Sequence, residues 1–282
     1  MGTMVHTEHP VLEGQKDISD GIAFHSLDMY FADLVISPSY YLTNRWFLRS
    51  SFPVRTARTD VDFLGENREV LTDMESIHHR NEILVGMGDM GLGIGYRLWS
   101  TNYGAFLTTL DLTVGATLPT GGTEPDPFEA GRQGKKHQHI IFGTGTVDPT
   151  FKVSGIVGSG THLFTLWANI RRPLYENAHG MKTGAQISHG IGWVHGFGLQ
   201  NWQFMVQPEI FYEEATTWNS GEDSPNSGRT DLVATVAAFW QYSPDVRASL
   251  TLKRPFTIQT SGGQLEMPLV VAVGADFRFS LD

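Results

Sequence analysis

The chain has 282 residues, with 20 Lys and Arg against 30 Asp and Glu, which gives a net charge of −10. Only 18% of its residues are charged, and it has 31 glycines and no cysteine. The absence of cysteine excludes a disulfide scaffold, a Cys-ligated zinc site and a Cys nucleophile. The acidic balance argues against a nucleic-acid partner, and no apolar run reaches the ~18 residues of a membrane-spanning helix.

The first 21 residues are polar and show neither the basic nor the apolar segment of a signal peptide. We expect residues 1–21 to form a polar N-terminal tail, either periplasmic or inserted into a lumen as a plug. Residues 22–282 are expected to form a single domain, because no low-complexity linker interrupts them.

Beyond this tail, apolar residues recur at every second position, which is the period of a β-strand. No stretch shows a convincing period of 3.6 residues. Eleven strands are clear, and residues 22–42 are long enough to supply two, so the sequence predicts an all-β antiparallel barrel of about twelve strands. The clearest alternating segments are residues 90–98, 110–118, 201–212, 231–242 and 269–279.

Three features favour a transmembrane barrel over a water-soluble one. The strands have roughly the 9–11 residues that cross a bilayer at a tilt. Aromatic residues such as Trp202, Tyr212 and Trp240 lie at strand ends, as in the aromatic girdles of membrane barrels. Short and long turns alternate, which predicts that both termini lie on the periplasmic side. A soluble all-β binding protein remains the alternative, and it would be monodisperse without detergent.

The polar positions of the alternating strands are the candidate lumen residues. Both charge signs occur among them, so they predict either cross-strand ion pairs that stiffen the wall or a polar constriction that selects small solutes. The candidates are Asp89, Arg97, Asp111, Lys152, Gln207, Glu209, Asp231, Lys253, Asp276 and Arg278.

Four short motifs occur in an order that resembles one family of outer-membrane barrels, the family named for the meta pathway of phenol degradation. The resemblance spans about residues 30–282. It implies a transporter fold and the passage of small, often aromatic, compounds. The motifs are LTNRW at 42–46 followed by SFP at 51–53, GDMGLGIGYRL at 88–98, LPTG at 118–121 and GTGTVDPTFKVSG at 143–155.

Other chemistries find less support in the sequence. The glycines of residues 86–95 precede a strand rather than the helix that a dinucleotide site needs. His137 and His139 share a face if extended, yet no spacing fixes a third metal ligand, and the same holds for His78–His79 and for His6 with His9. A compact His-x-Ser hydrolase arrangement is missing. We therefore expect no enzyme, no cofactor and no metal site.

The preferred interpretation is a passive outer-membrane channel for small molecules, with outer-membrane lipid and a small solute as its partners. The alternative is a closed barrel that anchors, or joins as a subunit, a larger envelope complex. Outward-facing polar residues such as His189 and Arg254 would then contact an envelope protein.

Overall fold

The computed structural model describes residues 2–10, 22–72, 80–104, 106–137, 139–196, 201–219, 222–224, 227–260 and 267–279, and only the backbone of residues 3–10, 222 and 223. Apart from one short helix, every regular element is a strand, so the all-β prediction is confirmed. The helix, α1, covers Pro127–Arg132. None of the described helices is long and apolar enough to cross a membrane. The strands are β1 Gly2–Pro10, β2 Phe24–Ile36, β3 Ser39–Tyr41, β4 Trp46–Leu64, β5 Val70–Leu71, β6 Glu82–Met87, β7 Met90–Tyr103, β8 Phe106–Leu118, β9 Asp148–Ser159, β10 His162–Arg171, β11 Met181–Lys182, β12 Gln186–Gly196, β13 Trp202–Glu213, β14 Thr217–Trp218, β15 Glu222–Asp223, β16 Arg229–Ser243, β17 Val246–Thr260 and β18 Leu269–Phe277.

Fifteen of these strands form one antiparallel sheet. Its order is β2-β1-β18-β17-β16-β13-β12-β10-β9-β8-β7-β4-β3, and β5 and β6 also pair with β4. In addition, β2 pairs with β4 along its whole length, from Phe24 opposite Leu64 to Ile36 opposite Phe52. Strands β11, β14 and β15 form a separate three-stranded sheet within the long connections.

Residues 22–42 supply two strands, β2 and β3, but these two strands do not lie side by side in the sheet. β2 and β3 pair with β4 in one constant register, because Ile36 lies opposite Phe52 and Ser39 lies opposite Arg49. The break between them contains Pro38, which has no N–H to give to the ladder. The Pro38 carbonyl still accepts a hydrogen bond from Ser50 N at 3.0 Å. The two segments therefore act as a single interrupted strand.

The first half of the expected polar tail is a strand in the structure. Gly2–Pro10 form β1, which lies between β2 and β18 and pairs with both. The physical reason is that strand pairing uses backbone groups, so a polar segment can satisfy the free edges of its two neighbours. Residues 11–21 lie outside the described part of the chain.

The two faces of the sheet differ in burial and polarity, and we call them outer and inner. The outer face exposes apolar side chains at alternate positions, and Ile191 and Val273 are 65% and 78% exposed. The inner face carries buried polar and charged groups, among them Asp111, Glu209 and Asp231. A soluble protein buries the apolar face of a sheet, so this arrangement is inverted relative to a soluble one.

Aromatic rings gather on the outer face near the short turns. Trp46 of β4 packs against Tyr96 of β7 with ring centroids 4.6 Å apart. Trp202 of β13 stacks on Trp240 of β16 at 6.2 Å. Trp46, Trp202 and Trp240 lie at or near strand ends, where the sequence predicted aromatic residues, and Tyr96 lies in the middle of β7.

β4 is the longest strand, with 19 residues. Its outer face is largely apolar from Trp46 to Val54, both of which are exposed. Further along the same face, Arg58 forms an exposed ion pair with Asp60 at 3.0 Å. The outer face of this strand thus changes from apolar to charged toward the long connections.

Candidate functional site

Strand register brings most of the predicted lumen residues onto the inner face. Asp111 and Glu209 lie on one transverse row, which runs from Asp111 through Ser154, Trp167 and Gly190 to Glu209. Asp89 lies in the break between β6 and β7, and Arg278 lies beyond the end of β18 and is exposed. The predicted residues that the register places on the inner face are Arg97, Asp111, Lys152, Gln207, Glu209, Asp231, Lys253 and Asp276.

Ion pairs between and along neighbouring strands cover much of this face. Arg97 donates from Nε to Asp111 Oδ1 at 2.8 Å and from Nη2 to Oδ2 at 3.1 Å, in a bidentate pair. Such planar, two-point contacts are the strong form of an Arg–carboxylate bond. Further pairs on this face are Arg229–Asp231 at 2.8 Å and Arg247–Asp276 at 2.7 Å.

Glu209 is the centre of a buried polar network. Lys253 Nζ donates to its two carboxylate oxygens at 2.9 and 2.8 Å, and Gln207 Nε2 donates to Oε1 at 2.9 Å. The Thr235 hydroxyl donates to the same oxygen. Glu209 is only 6% exposed. These donors replace the hydrogen bonds to water that a carboxylate loses when it is buried.

Asp89 ties the connection between β8 and β9, residues 119–147, to the sheet. Its Oδ1 accepts a hydrogen bond from Gly121 N at 3.0 Å. Its Oδ2 accepts from the backbone N and the hydroxyl of Thr144, at 2.7 and 2.9 Å. One carboxylate therefore holds both ends of this connection, which we call the β8–β9 loop.

The middle of the β8–β9 loop lies against the inner face. Ile140 packs on an apolar cluster of this face that includes Leu27 and Val61. The Phe142 ring lies over Gly86 of β6, where an added Cβ would be 2.8 Å from the ring. The loop therefore covers part of the inner face at the end of the long connections.

Other long connections also form polar contacts with the β8–β9 loop. Asn177 Nδ2 donates to the Thr144 carbonyl at 3.0 Å, and Asn219 Nδ2 contacts Asp126 Oδ2 at 3.3 Å. Arg80 Nη1 donates to the His137 carbonyl at 3.1 Å. The loop is thus held by polar contacts with three neighbouring connections.

Helix α1 is a short, locally capped turn within the β8–β9 loop. Asp126 accepts from the backbone N atoms of Phe128 and Glu129 as the N-cap, and Pro127 occupies the first turn. Arg132 and then Gln133 donate to the Glu129 carboxylate and hold the pKa of that carboxyl below its usual value.

Of the histidine pairs considered as metal ligands, His137 and His139 are the pair whose side chains the structure describes. The rings of His137 and His139 are 5.1 Å apart, but nowhere in the described ranges do three His, Asp or Glu side chains form a group that could hold a metal ion. His78 and His79 lie outside the described residues, as do the side chains of His6 and His9.

Several inner-face residues were missed by the sequence analysis. Phe47 is fully buried, and its ring lies over Gly95, where an added Cβ would be 2.0 Å away. Thr235, Arg229 and Arg247 complete the polar contacts of Glu209, Asp231 and Asp276. Their alternation with apolar neighbours was visible, but their partners depend on register across strands. Asp276 pairs with Arg247 of the neighbouring strand.

These features define the class of protein: an antiparallel all-β chain with an exposed apolar outer face and an ion-paired inner face that loops partly cover. This fold also occurs in a crystal structure of an outer membrane channel from Pseudomonas putida F1, with a TM-score of 0.55 over 96% of this chain and 91% of that chain. The two sequences are 12% identical, so the likeness concerns the fold. No protein-family model and no curated protein matches the chain.

Proposed function

We propose that the chain is a transmembrane β-barrel of the outer membrane and a passive channel for small molecules. The observation that carries this proposal is the inverted arrangement of the sheet, with exposed apolar residues such as Val273 outside and buried ion pairs such as Lys253–Glu209 inside. In lipid the outer face is stable as it is, whereas in water it would expose a large apolar area at a cost of about 25 cal/mol per Å².

Closure of the barrel is supported by the strand pairings. β1 pairs with β18 and with β2, and β2 also pairs with β4. A continuous path of paired strands therefore runs through the twelve long strands and returns to its starting strand. A spanning sheet must leave no free edge, because lipid offers no hydrogen bonds to an unpaired backbone. The path through the membrane then runs along the inner face.

The β8–β9 loop limits what passes through this path. It covers the inner face near Gly86 and is held there by Asp89. A barrel of twelve strands is narrower than the 16–18-stranded porins, and the loop narrows it further. We therefore infer a small solute that moves down its own gradient, without a cofactor.

The sequence motifs bear on the kind of solute. Their resemblance to the family named for the meta pathway of phenol degradation supports membership of that family and aromatic compounds as solutes. The Pseudomonas putida protein, described as an outer membrane channel, supports the location and the channel activity.

Two measurements test the proposal in order. Detergent-extracted protein is run on SDS gels with and without boiling, and a closed barrel shifts in mobility on boiling because its hydrogen-bonded ring resists SDS. The same preparation is then added to planar lipid bilayers, where a channel gives discrete conductance steps. Protein that is soluble without detergent and shows no shift contradicts the membrane barrel. A shift without conductance contradicts the channel and favours the closed barrel that anchors an envelope complex.

A further inference from the structure

We propose that Arg49, Lys152 and Arg171 form a binding site for a small carboxylate anion on the inner face. This inference rests on the proposed channel, because the inner face is then the path of the solute. It adds the chemical class of the solute and the residues that bind it.

The three cations are distinguished by having no acidic partner in the described parts of the chain. Arg97, Lys253 and Arg229 each contact a carboxylate within 3 Å. For Arg49, Lys152 and Arg171, by contrast, no carboxylate of the described residues lies within 4 Å. The Nε atom of Arg171 is buried without a hydrogen-bond partner. A buried cationic donor without a partner is costly, and an anion would satisfy it.

Strand register brings Lys152 and Arg171 together. Lys152 of β9 lies opposite Asn169 of β10, and Arg171 is two residues further along β10 on the same face. Such diagonal neighbours have backbones about 7–8 Å apart, within reach of long side chains. One carboxylate placed between them can accept from both.

Arg49 lies on the side of Lys152 away from Arg171, and two glycines lie on the row between β4 and β9. It lies opposite Gly93 of β7, which lies opposite Gly115 of β8, and Gly115 lies opposite Thr150 of β9. The two glycines add no side chain of their own between β4 and β9, and the Thr113 methyl group lies over Gly93. Arg49 and Lys152 therefore lie three strands apart on the same face of the sheet.

The acidic group on β9 is Asp148, and its Oδ2 atom is buried without a hydrogen-bond partner among the described residues. Asp148 is fully buried and accepts a hydrogen bond from the Thr146 hydroxyl at 2.5 Å. It lies four residues from Lys152 along the strand and does not form an ion pair with any of the three cations. Arg49 and Arg171 carry planar guanidinium groups, and such groups suit a carboxylate bound at two points.

The test compares benzoate with benzamide, which has a similar size but no charge. Calorimetric titration of the detergent-extracted protein is expected to show benzoate binding and no benzamide binding. Separate Arg49→Gln, Lys152→Gln and Arg171→Gln variants are each expected to weaken benzoate binding about tenfold, since each removes a charged donor. The matched control is Arg58→Gln, which removes the same charge from the outer face of β4 and is expected to leave binding unchanged.

In planar bilayers, benzoate is expected to block the wild-type current and the three variants are expected to shift the reversal potential toward cation selectivity. A boiling-dependent gel shift shows that each variant is folded. The inference is overturned if wild-type protein binds benzoate and benzamide equally, if it binds neither, or if folded variants bind benzoate as the wild type does. An absence of wild-type conductance would instead contradict the channel, whatever the calorimetric result.

Discussion

The Phe47 ring occupies the space that a side chain at position 95 would fill. A Cβ added to Gly95 would be 2.0 Å from the nearest carbon of the ring, which belongs to the neighbouring strand. Phe47 lies on the inner face and is fully buried. The Arg49 guanidinium lies 4.6 Å from the centre of the same ring, so the contact also positions a cation of the proposed carboxylate site.

Gly95→Ala is therefore expected to destabilise the protein by about 1–3 kcal/mol, the usual cost of overpacking. The measurement is the temperature at which unboiled protein loses its fast-migrating form on SDS gels. Gly122→Ala is the matched control, because a Cβ there has no neighbour within 4 Å. Equal transition temperatures for both variants and the wild type would contradict the packing described for Phe47.

Loss of the Asp89 carboxylate is expected to release the β8–β9 loop. Asp89→Ala removes the acceptor of three hydrogen bonds, and bonds to a charged group contribute about 1.5–3 kcal/mol each. We expect a larger single-channel conductance and faster protease cleavage within residues 119–147.

The control for this change is Glu124→Gln, an exposed position on the same loop. It should leave both the conductance and the cleavage rate unchanged. If Asp89→Ala gives folded protein with the wild-type conductance, the loop does not limit the path.

Removing only the Lys253 charge from its ion pair with Glu209 is expected to destabilise the sheet. Lys253→Met leaves the nearly buried Glu209 without its cation, at a cost of about 3 kcal/mol. Adding Glu209→Gln removes the second charge but keeps an oxygen for Gln207 and Thr235. The double variant should recover most of the lost heat resistance on SDS gels. A double variant weaker than Lys253→Met alone would show that the pair itself is not the source of stability.

Deletion of residues 2–10 is expected to abolish the SDS resistance of the unboiled protein. These residues form β1 and pair with both β2 and β18, so their loss leaves two unpaired strand edges. The experiment compares gel mobility before and after boiling, with Glu124→Gln as a folded control. A deletion variant that retains the full shift would contradict the place of β1 between β2 and β18.

The sequence predicts the strand-rich fold well because alternation is local and regular. The segment of β16 shows it clearly, with Leu232, Val236 and Trp240 on one face and Asp231 on the other. Once the faces are known, the residues of one face follow from the alternation alone, and the alternation predicts Lys152 and Lys253 at polar positions. The partner of each side chain depends on register, which the alternation does not specify.

Two elements were missed for physical reasons that differ. β1 is polar and short of alternating apolar residues, and its pairing depends on the open edges of β2 and β18, which are distant in sequence from each other. Helix α1 has six residues, too few for a 3.6-residue period to emerge. Its signals in the sequence are the capping residue Asp126 and Pro127 in the first turn.

The unusual length of β4 gives the proposed barrel an uneven rim. Nineteen residues at about 3.3 Å each make a strand of roughly 60 Å, well beyond the ~30 Å hydrocarbon layer even when tilted. In the proposed barrel, its charged stretch around Arg58 and Asp60 therefore extends beyond the lipid, and the β8–β9 loop lies against the inner face of the same strand near Val61.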